Sequence, residues 1–551
     1  MPDQQHKSDS AVPAAGRHFD AVVIGAGFGG LYMLHRLRSM GFSVRVFETG
    51  SDIGGTWFWN AYPGARCDVE SMEYSYQFSE ELQQEWVWTE RYASQPEILR
   101  YLHHVADRFD LRRDIQLDTR VTAAHYDEDT GRWLIGTDDG NRVSAQYCVM
   151  ATGCLSARNV PNIRGLETFK GPTYHTGEWP HEPIDFTGKQ VGVIGTGSSA
   201  IQSVPMIAEQ AKQLYVFQRT PAYSVPAANH PLDAKLQAAI KADYKGFRQR
   251  AKQNRAGILF TVGIKSVFQV SDEERRREFE TRWANGGIAF LAAYADLFDT
   301  IEANDVAAEF IRNKIRSIVK DPKVAELLCP HTIAGCKRLC VDTDYYATYN
   351  RPNVALVDVK AAPIEEITPR GVKTCSREYE LDTLVLATGF DAMTGALTRI
   401  DIRGKDGQRL AEKWEDGPRS YLGVALAGFP NLFTITGPGS PSVLSNMVPS
   451  IEQHVEWISD CIDYMRKHGH DRIEATPDAE DDWVSHVQDI ANASVYPSCD
   501  SWYLGANIPG KPRVFAPYIG FPQYVEKANA IARDGYRGFE LSRNRQKQLA
   551  G

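Results

Sequence analysis

A chain of 551 residues is too long for one compact core, so two or more domains are expected, each burying substantial apolar surface. Its 61 Lys and Arg against 70 Asp and Glu leave a formal charge of -9, which argues against nucleic acid as partner. No uninterrupted apolar run reaches the roughly 18 residues that cross a bilayer.

Residues 1–18 are polar and carry Pro and Ser without apolar periodicity, which predicts a flexible tail. From Phe19 onward strand-like runs alternate with helical spacing: Ala21–Ile24, then a helix over about Gly29–Met40, then Val44–Phe47. That order is a βαβ unit feeding a parallel sheet. It returns as Val191–Ile194, a helix from Ala200 to Lys212, and Leu214–Phe217. Between about Pro231 and Cys329 the chain turns charged with helical spacing, and the Glu residues interleaved through Asp272–Phe279 mark a solvated helix face rather than an RNA surface. Strand-like runs resume at Val354–Val357 and Leu384–Leu386. The expected fold is α/β: two Rossmann-like dinucleotide-binding domains, with a helical insertion in the second. Residues 19–155 and 390–551 form the first domain, 156–228 and 332–389 the second, and 229–331 the insertion.

Gly25, Gly27 and Gly30 follow a strand and open a helix, which sets backbone N–H groups against a pyrophosphate. Glu48 ends the next strand and supplies a carboxylate for ribose hydroxyls, so spacing and context support a bound dinucleotide over a merely structural turn. The second fingerprint, Gly195-Thr196-Gly197-Ser198-Ser199, lacks that acid. Its strand ends in Gln218-Arg219-Thr220, and an Arg with a hydroxyl neighbour suits a 2′-phosphate, favouring NADPH. One FAD and one NADPH per chain is the economical reading, because a flavin passes electrons from a hydride donor to an acceptor such as O2.

Two longer strings narrow the class. Gly54-Gly55-Thr56-Trp57, with Tyr62-Pro63-Gly64 and Asp68 at fixed spacing, resembles the G-G-x-W-x4-[FY]-P-G-x3-D motif of Baeyer–Villiger monooxygenases. Phe169, Gly171, His175 and Trp179-Pro180 match that family's fingerprint F-x-G-x3-H-x3-W-P. The resemblance runs from about Phe19 to about Leu541, and its details are most similar to the phenylacetone and steroid monooxygenases. Cys336, Cys340 and Ile519-Gly520-Phe521-Pro522 depart from that pattern.

The resemblance implies that NADPH reduces FAD, that O2 forms a C4a-peroxyflavin, and that a ketone becomes an ester or lactone, with sulfoxidation as a side activity. It implies Arg338 as the charge holding the reacting anion and Asp68 as the group orienting it. A guanidinium suits this role because it stays charged without giving up its proton. Thr56, Trp57 and Tyr74 are expected beside FAD, and Lys337 beside the 2′-phosphate with Arg219 and Thr220. Trp502 is read either as a nicotinamide-ribose contact or as an ordinary core Trp. His175 is assigned to domain coupling in preference to proton transfer. Ser442-Val443-Leu444, with Met447 beyond, is expected to shape a ketone pocket admitting aryl or bulky cyclic substrates, or else merely to close the FAD domain.

Domains of this size should not need covalent staples for stability, and the 9 scattered cysteines and the absence of a leader-like start predict a reducing, cytoplasmic setting. Cys329-Pro330-His331 with Cys336 and Cys340 lacks compact zinc spacing and encloses Lys337-Arg338, so no metal is expected. No C-x4-C pair follows the first glycine domain, which disfavours a disulfide reductase. The expected partners are O2 and a small ketone, without nucleic acid or membrane, in a monomer or weak homo-oligomer. An N- or S-oxygenating flavin monooxygenase and a non-catalytic flavin sensor are the rivals, set apart by Trp179-Pro180 and by the Asp68 and Arg338 pairing.

Overall fold

The computed structural model describes residues 17–543. The expected tail lies outside these residues up to 16. Arg17 and His18, by contrast, open the first strand, where His18 Nδ1 sits 2.6 Å from Ser144 Oγ.

Strands β1 (Arg17–Ile24), β2 (Val44–Phe47), β3 (Ile115–Gln116), β4 (Val121–Asp127), β5 (Arg132–Thr137) and β6 (Arg142–Met150) build the first sheet. Its centre is parallel, with Ala21 opposite Val44 and Tyr147, whereas β4, β5 and β6 form an antiparallel meander. Ala21, Val22 and Val23 are fully buried, as a strand covered on both faces requires, which is why this run is continuously apolar. The helix Phe28–Ser39 follows at once, and Gly25 makes the turn with φ at 103°.

The second sheet is parallel throughout. It contains β7 (Thr173–His175), β8 (Gln190–Ile194) and β9 (Gln213–Gln218), and the helix Ser198–Gln210 joins the last two. A short pair, β10 (Ser224–Pro226) and β11 (Cys340–Asp342), brackets a helical stretch. That stretch contains the helices Ala234–Ala242, Tyr244–Lys252, Asp272–Asn285, Ile301–Ile318 and Pro322–Leu328. Helix Asp272–Asn285 buries only Phe279; its first turn is acidic, and Ser271 Oγ accepts from Glu274 N, the pattern of a capped, solvated helix.

Strand β12 (Val354–Asp358) then joins β9. Strands β13 (Ile364–Thr368), β14 (Gly371–Thr374) and β15 (Glu378–Glu380) form a small antiparallel sheet, and β16 (Thr383–Leu386) slots between β8 and β7. The chain returns to the first sheet: β17 (Asp401–Arg403) lies on β4, and β18 (Leu432–Thr434) lies on β6. Near the end β19 (Arg472–Ala475) pairs with β20 (Phe539–Ser542).

One expectation is corrected here. Cys336 and Cys499, 163 residues apart, are disulfide-bonded with Cα atoms 5.5 Å apart, so the fold does contain a covalent staple. Among the described residues no helix is long and apolar enough to cross a membrane.

Candidate active site

Both glycine turns open onto one cleft of about 1870 Å³, well above the roughly 300–1,000 Å³ of ordinary small-ligand pockets. On the first side the backbone is drawn tight: a Cβ on Gly30 would lie 1.8 Å from Gly25 O, and one on Gly27 would lie 3.3 Å from Gly55 Cα. Glu48 is buried, its Oε2 accepting from Ala26 N at 2.7 Å and its Oε1 from Gly50 N at 2.8 Å. Burial raises its pKa against those backbone hydrogen bonds. Thr49 N–H and the Trp59 side chain also hydrogen-bond this carboxylate, which lies on the cleft wall. Thr56 and Trp57 sit in the short helix Thr56–Trp59 at the cleft wall, and Trp57 Nε1 donates to Tyr74 OH at 3.2 Å.

On the second side Gly195 has φ at 117° and would bring a Cβ to 2.2 Å from Ala387 O. Gly197, at the start of helix Ser198–Gln210, has nothing within 4 Å of its Cβ direction and so leaves the helix end open. Thr196 Oγ1 donates to Thr220 O at 2.7 Å, joining the fingerprint to the end of β9. Ser199 Oγ lies 2.9 Å from Thr176 Oγ1, and Ser198 Oγ lies 3.2 Å from Cys340 Sγ. Arg219 and Lys337 line the same wall, and neither has a carboxylate within ion-pair distance among the described residues. Desolvation within the cleft, and then the Arg219 charge, lower the Lys337 pKa. Asp500 acts on Lys337 in the opposite sense without forming an ion pair with it, and two neighbouring cations of this kind suit a dianionic phosphate.

The junction of the two sides is polar and specific. Arg338 Nε donates to Asp68 Oδ2, Nη2 to Asp68 Oδ1 at 2.8 Å, and Nη1 to Val443 O at 2.6 Å. Burial acts against the Arg338 charge, but Asp68 outweighs it and holds the pKa above the ordinary value. A guanidinium has five N–H donors, so the three in use leave two free. Asp68 and Arg338 are 270 positions apart in sequence, yet both line the cleft.

Of the expected substrate residues, Val443 and Met447 line the cleft. Ser442 and Leu444 do not. Ser442 is fully buried with φ at 42°, its Oγ 4.0 Å from Met393 Sδ, while the next residue, Val443, lines the cleft. Trp502, in the turn Trp502–Leu504, is half-buried and on the cleft wall, which separates it from a core Trp.

The fingerprint residues lie behind the cleft. A Cβ on Gly171 would meet Asp382 O at 2.4 Å and the Phe169 ring at 2.8 Å, and Trp179 is buried. His175 Nδ1 accepts from Gly177 N at 2.9 Å, so its proton sits on Nε2, which faces Thr388 Oγ1 at 3.2 Å and Asn159 O at 3.3 Å. Burial lowers its pKa, and its lone pair is already engaged, which suits a tie between the two chain crossings rather than a base.

The three cysteines that imitate a metal cluster diverge. Cys329 faces Arg312 O, Cys336 is bonded to Cys499, and Cys340 faces Ser198. Sequence reasoning missed the wall formed by residues 500–513, where Asn507 Nδ2 donates to Phe390 O at 2.7 Å and Lys511 Nζ reaches Asp391 at 2.6 Å. Its one sequence signal was Trp502.

Two dinucleotide folds facing a shared cleft, with a charged junction between them, are the frame of a nucleotide-dependent oxidoreductase. Comparison with known proteins narrows this. A family model described as pyridine nucleotide-disulphide oxidoreductase matches residues 22–283. The chain is 45% identical over 537 residues to a Baeyer-Villiger monooxygenase of Pseudooceanicola batsensis, covering 97% of this chain and 98% of that one. It is 41% identical over 532 residues to a cyclohexanone 1,2-monooxygenase of Acinetobacter sp, covering 96% and 97%. Among solved structures it is similar to an oxidized steroid monooxygenase bound to NADP, with a TM-score of 0.91, 52% identity and coverage of 95% and 99%. The chain belongs to the Baeyer–Villiger monooxygenase family, as an FAD- and NADPH-dependent ketone monooxygenase.

Proposed function

We propose that this enzyme inserts oxygen beside the carbonyl of a broad set of ketones, including aryl and bulky cyclic ones, with sulfoxidation as a side activity. The carrying observation is the Asp68–Arg338–Val443 junction on the wall shared by both nucleotide sides. The partition into an FAD part (19–155 with 390–551), an NADPH part (156–228 with 332–389) and a helical insertion (229–331) is supported by the return of β17 and β18 to the first sheet.

FAD, when bound, supplies the electron transfer and the O2 chemistry. The residues present fit it: the Gly25–Gly30 turn opens the first nucleotide helix onto the cleft, and Glu48 lies on the same wall. Arg219, Thr220 and Lys337 hold the 2′-phosphate, and Gly197 lets the helix end approach the pyrophosphate. Asp68 fixes the plane of the Arg338 guanidinium through two parallel hydrogen bonds, and Val443 O fixes its rotation. The two remaining N–H donors are thereby preorganised for negative charge developing at the reacting carbonyl, where a half-buried cation acts more strongly than in water. Val443 and Met447 supply apolar wall; a flexible thioether repacks around ketones of different shape.

Purified protein incubated with NADPH and a panel of linear, aryl, cyclic and steroid ketones, with products identified by mass, tests this reading. Esters from both small and bulky ketones are expected. NADPH consumption without ester from any member would overturn it, and ester from small ketones alone would remove the breadth.

A further inference from the structure

After helix Pro477–Asn492 the chain crosses the cleft as a strap. At its start Val495 N donates to Phe298 O at 2.9 Å, and Tyr496 stacks on Phe298 with ring centroids 6.0 Å apart. At its far end Asn507 and Lys511 are tied to Phe390, Asp391 and Ala392. Between these anchors Asp500, Trp502 and Ala506 form cleft wall. A covalent bond ties this middle to the loop opposite: Cys499, next to Asp500, is bonded to Cys336, two residues before Arg338.

The Arg338 loop has its own supports, because Ala334 N donates to Asn304 Oδ1 at 2.7 Å, Asn304 Nδ2 donates back to Ala334 O at 2.8 Å, and Arg338 is gripped by Asp68 and Val443. The strap has supports as well: Ser501 and Tyr503 are buried, with Ala506 N donating to Ser501 O and Ala516 N to Tyr503 O, both at 3.0 Å, while Asp500 forms an exposed ion pair with Arg513 at 3.2 Å and lends its charge to Lys337. Breaking the disulfide therefore unties the exposed Asp500 stretch of the strap from the Arg338 loop while the supports of Arg338 stay in place.

We propose that the Cys336–Cys499 disulfide is a redox-set clamp that holds the strap closed over the pyridine-nucleotide end of the cleft, so that its reduction weakens retention of NADP(H). This rests on the assignment of Lys337 and Trp502 to that end. Reduction consumes one dithiol. Its two thiols lose two electrons and close to a disulfide, the Cys336–Cys499 bond breaks, and the two protons end on the cysteine sulfurs. The tether acts through local concentration of the strap at the wall, not through a new contact with the nucleotide. If release lowers the closed population to about a tenth, the apparent NADP+ dissociation constant rises about tenfold. Linkage demands the reverse effect. Saturating NADP+ shifts the disulfide equilibrium about tenfold toward the oxidised form, or about 30 mV more negative. A staple that serves stability alone would raise the unfolding temperature without linking to the nucleotide.

The test uses the FAD-loaded full chain, without ketone, equilibrated in a graded dithiothreitol redox buffer with and without NADP+. Free thiols are counted after denaturation, and NADP+ affinity is measured on the oxidised and reduced forms. Seven thiols in the oxidised form and nine in the reduced form are expected, together with the shift in midpoint. The variants Cys499→Ser and Cys336→Ser should bind NADP+ like the reduced protein and ignore dithiothreitol. Nine thiols under oxidising conditions, or equal NADP+ affinity in both forms, would overturn the clamp. Loss of folding in the variants leaves the wild-type comparison decisive. Failure of ketone oxidation would strike the proposed function and leave these readouts untouched.

Discussion

Replacing Arg338 by Lys separates charge from geometry at the junction. The guanidinium uses Nε and Nη2 for Asp68 and Nη1 for Val443 O, and keeps two donors free. A lysine ammonium has three donors on one atom; meeting both the carboxylate and the Val443 carbonyl leaves it a single donor without a fixed plane. Loss of one preorganised donor to a developing oxyanion costs about 2.7–4 kcal/mol, or roughly 10²–10³ in rate. Stability should change less, because the Arg338 and Asp68 side chains are 26% and 23% exposed and Lys still offers Asp68 a charge. The assay follows NADPH oxidation, ester and hydrogen peroxide in parallel on FAD-loaded protein. Ester formation should fall about a hundredfold or more while NADPH oxidation and peroxide release continue, and Arg338→Ala should fall at least as far. Ester formation by Arg338→Lys within a few-fold of the parent would refute the argument that the fork matters, and the same result for Arg338→Ala would remove the residue from the chemistry.

Arg219→Ala and Lys337→Ala should each raise the KM for NADPH by about tenfold to a hundredfold while leaving NADH nearly unchanged, since each removes a charge-assisted contact of about 1.5–3 kcal/mol; equal loss with both nucleotides would refute the 2′-phosphate assignment. Met447→Ala should change the ratio of kcat/KM between a bulky and a small ketone by about tenfold at unaltered NADPH oxidation, and an unchanged ratio would exclude it as pocket wall. Burial pushes Glu452 and Glu73 up to about 7 from the ordinary 4.5, so their contribution to stability is present below pH 4.5 and is lost as pH rises through 7. Glu452→Gln should therefore gain thermal stability relative to the parent between pH 5 and pH 8.5; a pH-independent difference in Tm would contradict the shift.

The parts of the fold legible in sequence were those whose cause is local. Ala21–Ile24 and Val191–Ile194 are apolar because both faces of a central parallel strand are covered, and glycine follows each because the turn into the helix needs positive φ. Asp68 and Arg338 were reached through motifs, since no periodicity joins residues 270 positions apart. That Ser442 is buried while Val443 lines the cleft is not legible in sequence, because whether a loop residue faces a pocket or the core depends on what packs against it, here Met393. The disulfide was missed for the same reason: spacing does not reveal which of nine cysteines meet, and Cys336 and Cys499 are joined only by the path of the strap.

The charged junction takes one group from each of three distant segments: Asp68 from the first nucleotide fold, Arg338 from the chain just after the helical stretch, and the Val443 carbonyl from the segment that follows the return to the first sheet. A side chain held by all three is in place only when all three are docked. A shift of about 1 Å between them lengthens the hydrogen bonds that set the guanidinium plane, and near-attack geometry tolerates little of that. The buried fingerprint is where such shifts are resisted: His175 bridges Asn159 and Thr388 on the two crossings between the sheets, and Thr176 meets Ser199 at the second nucleotide helix. On the proposed function, residues that touch neither the cleft wall nor its charged centre would then bear on the chemistry by keeping Arg338 within reach of Asp68.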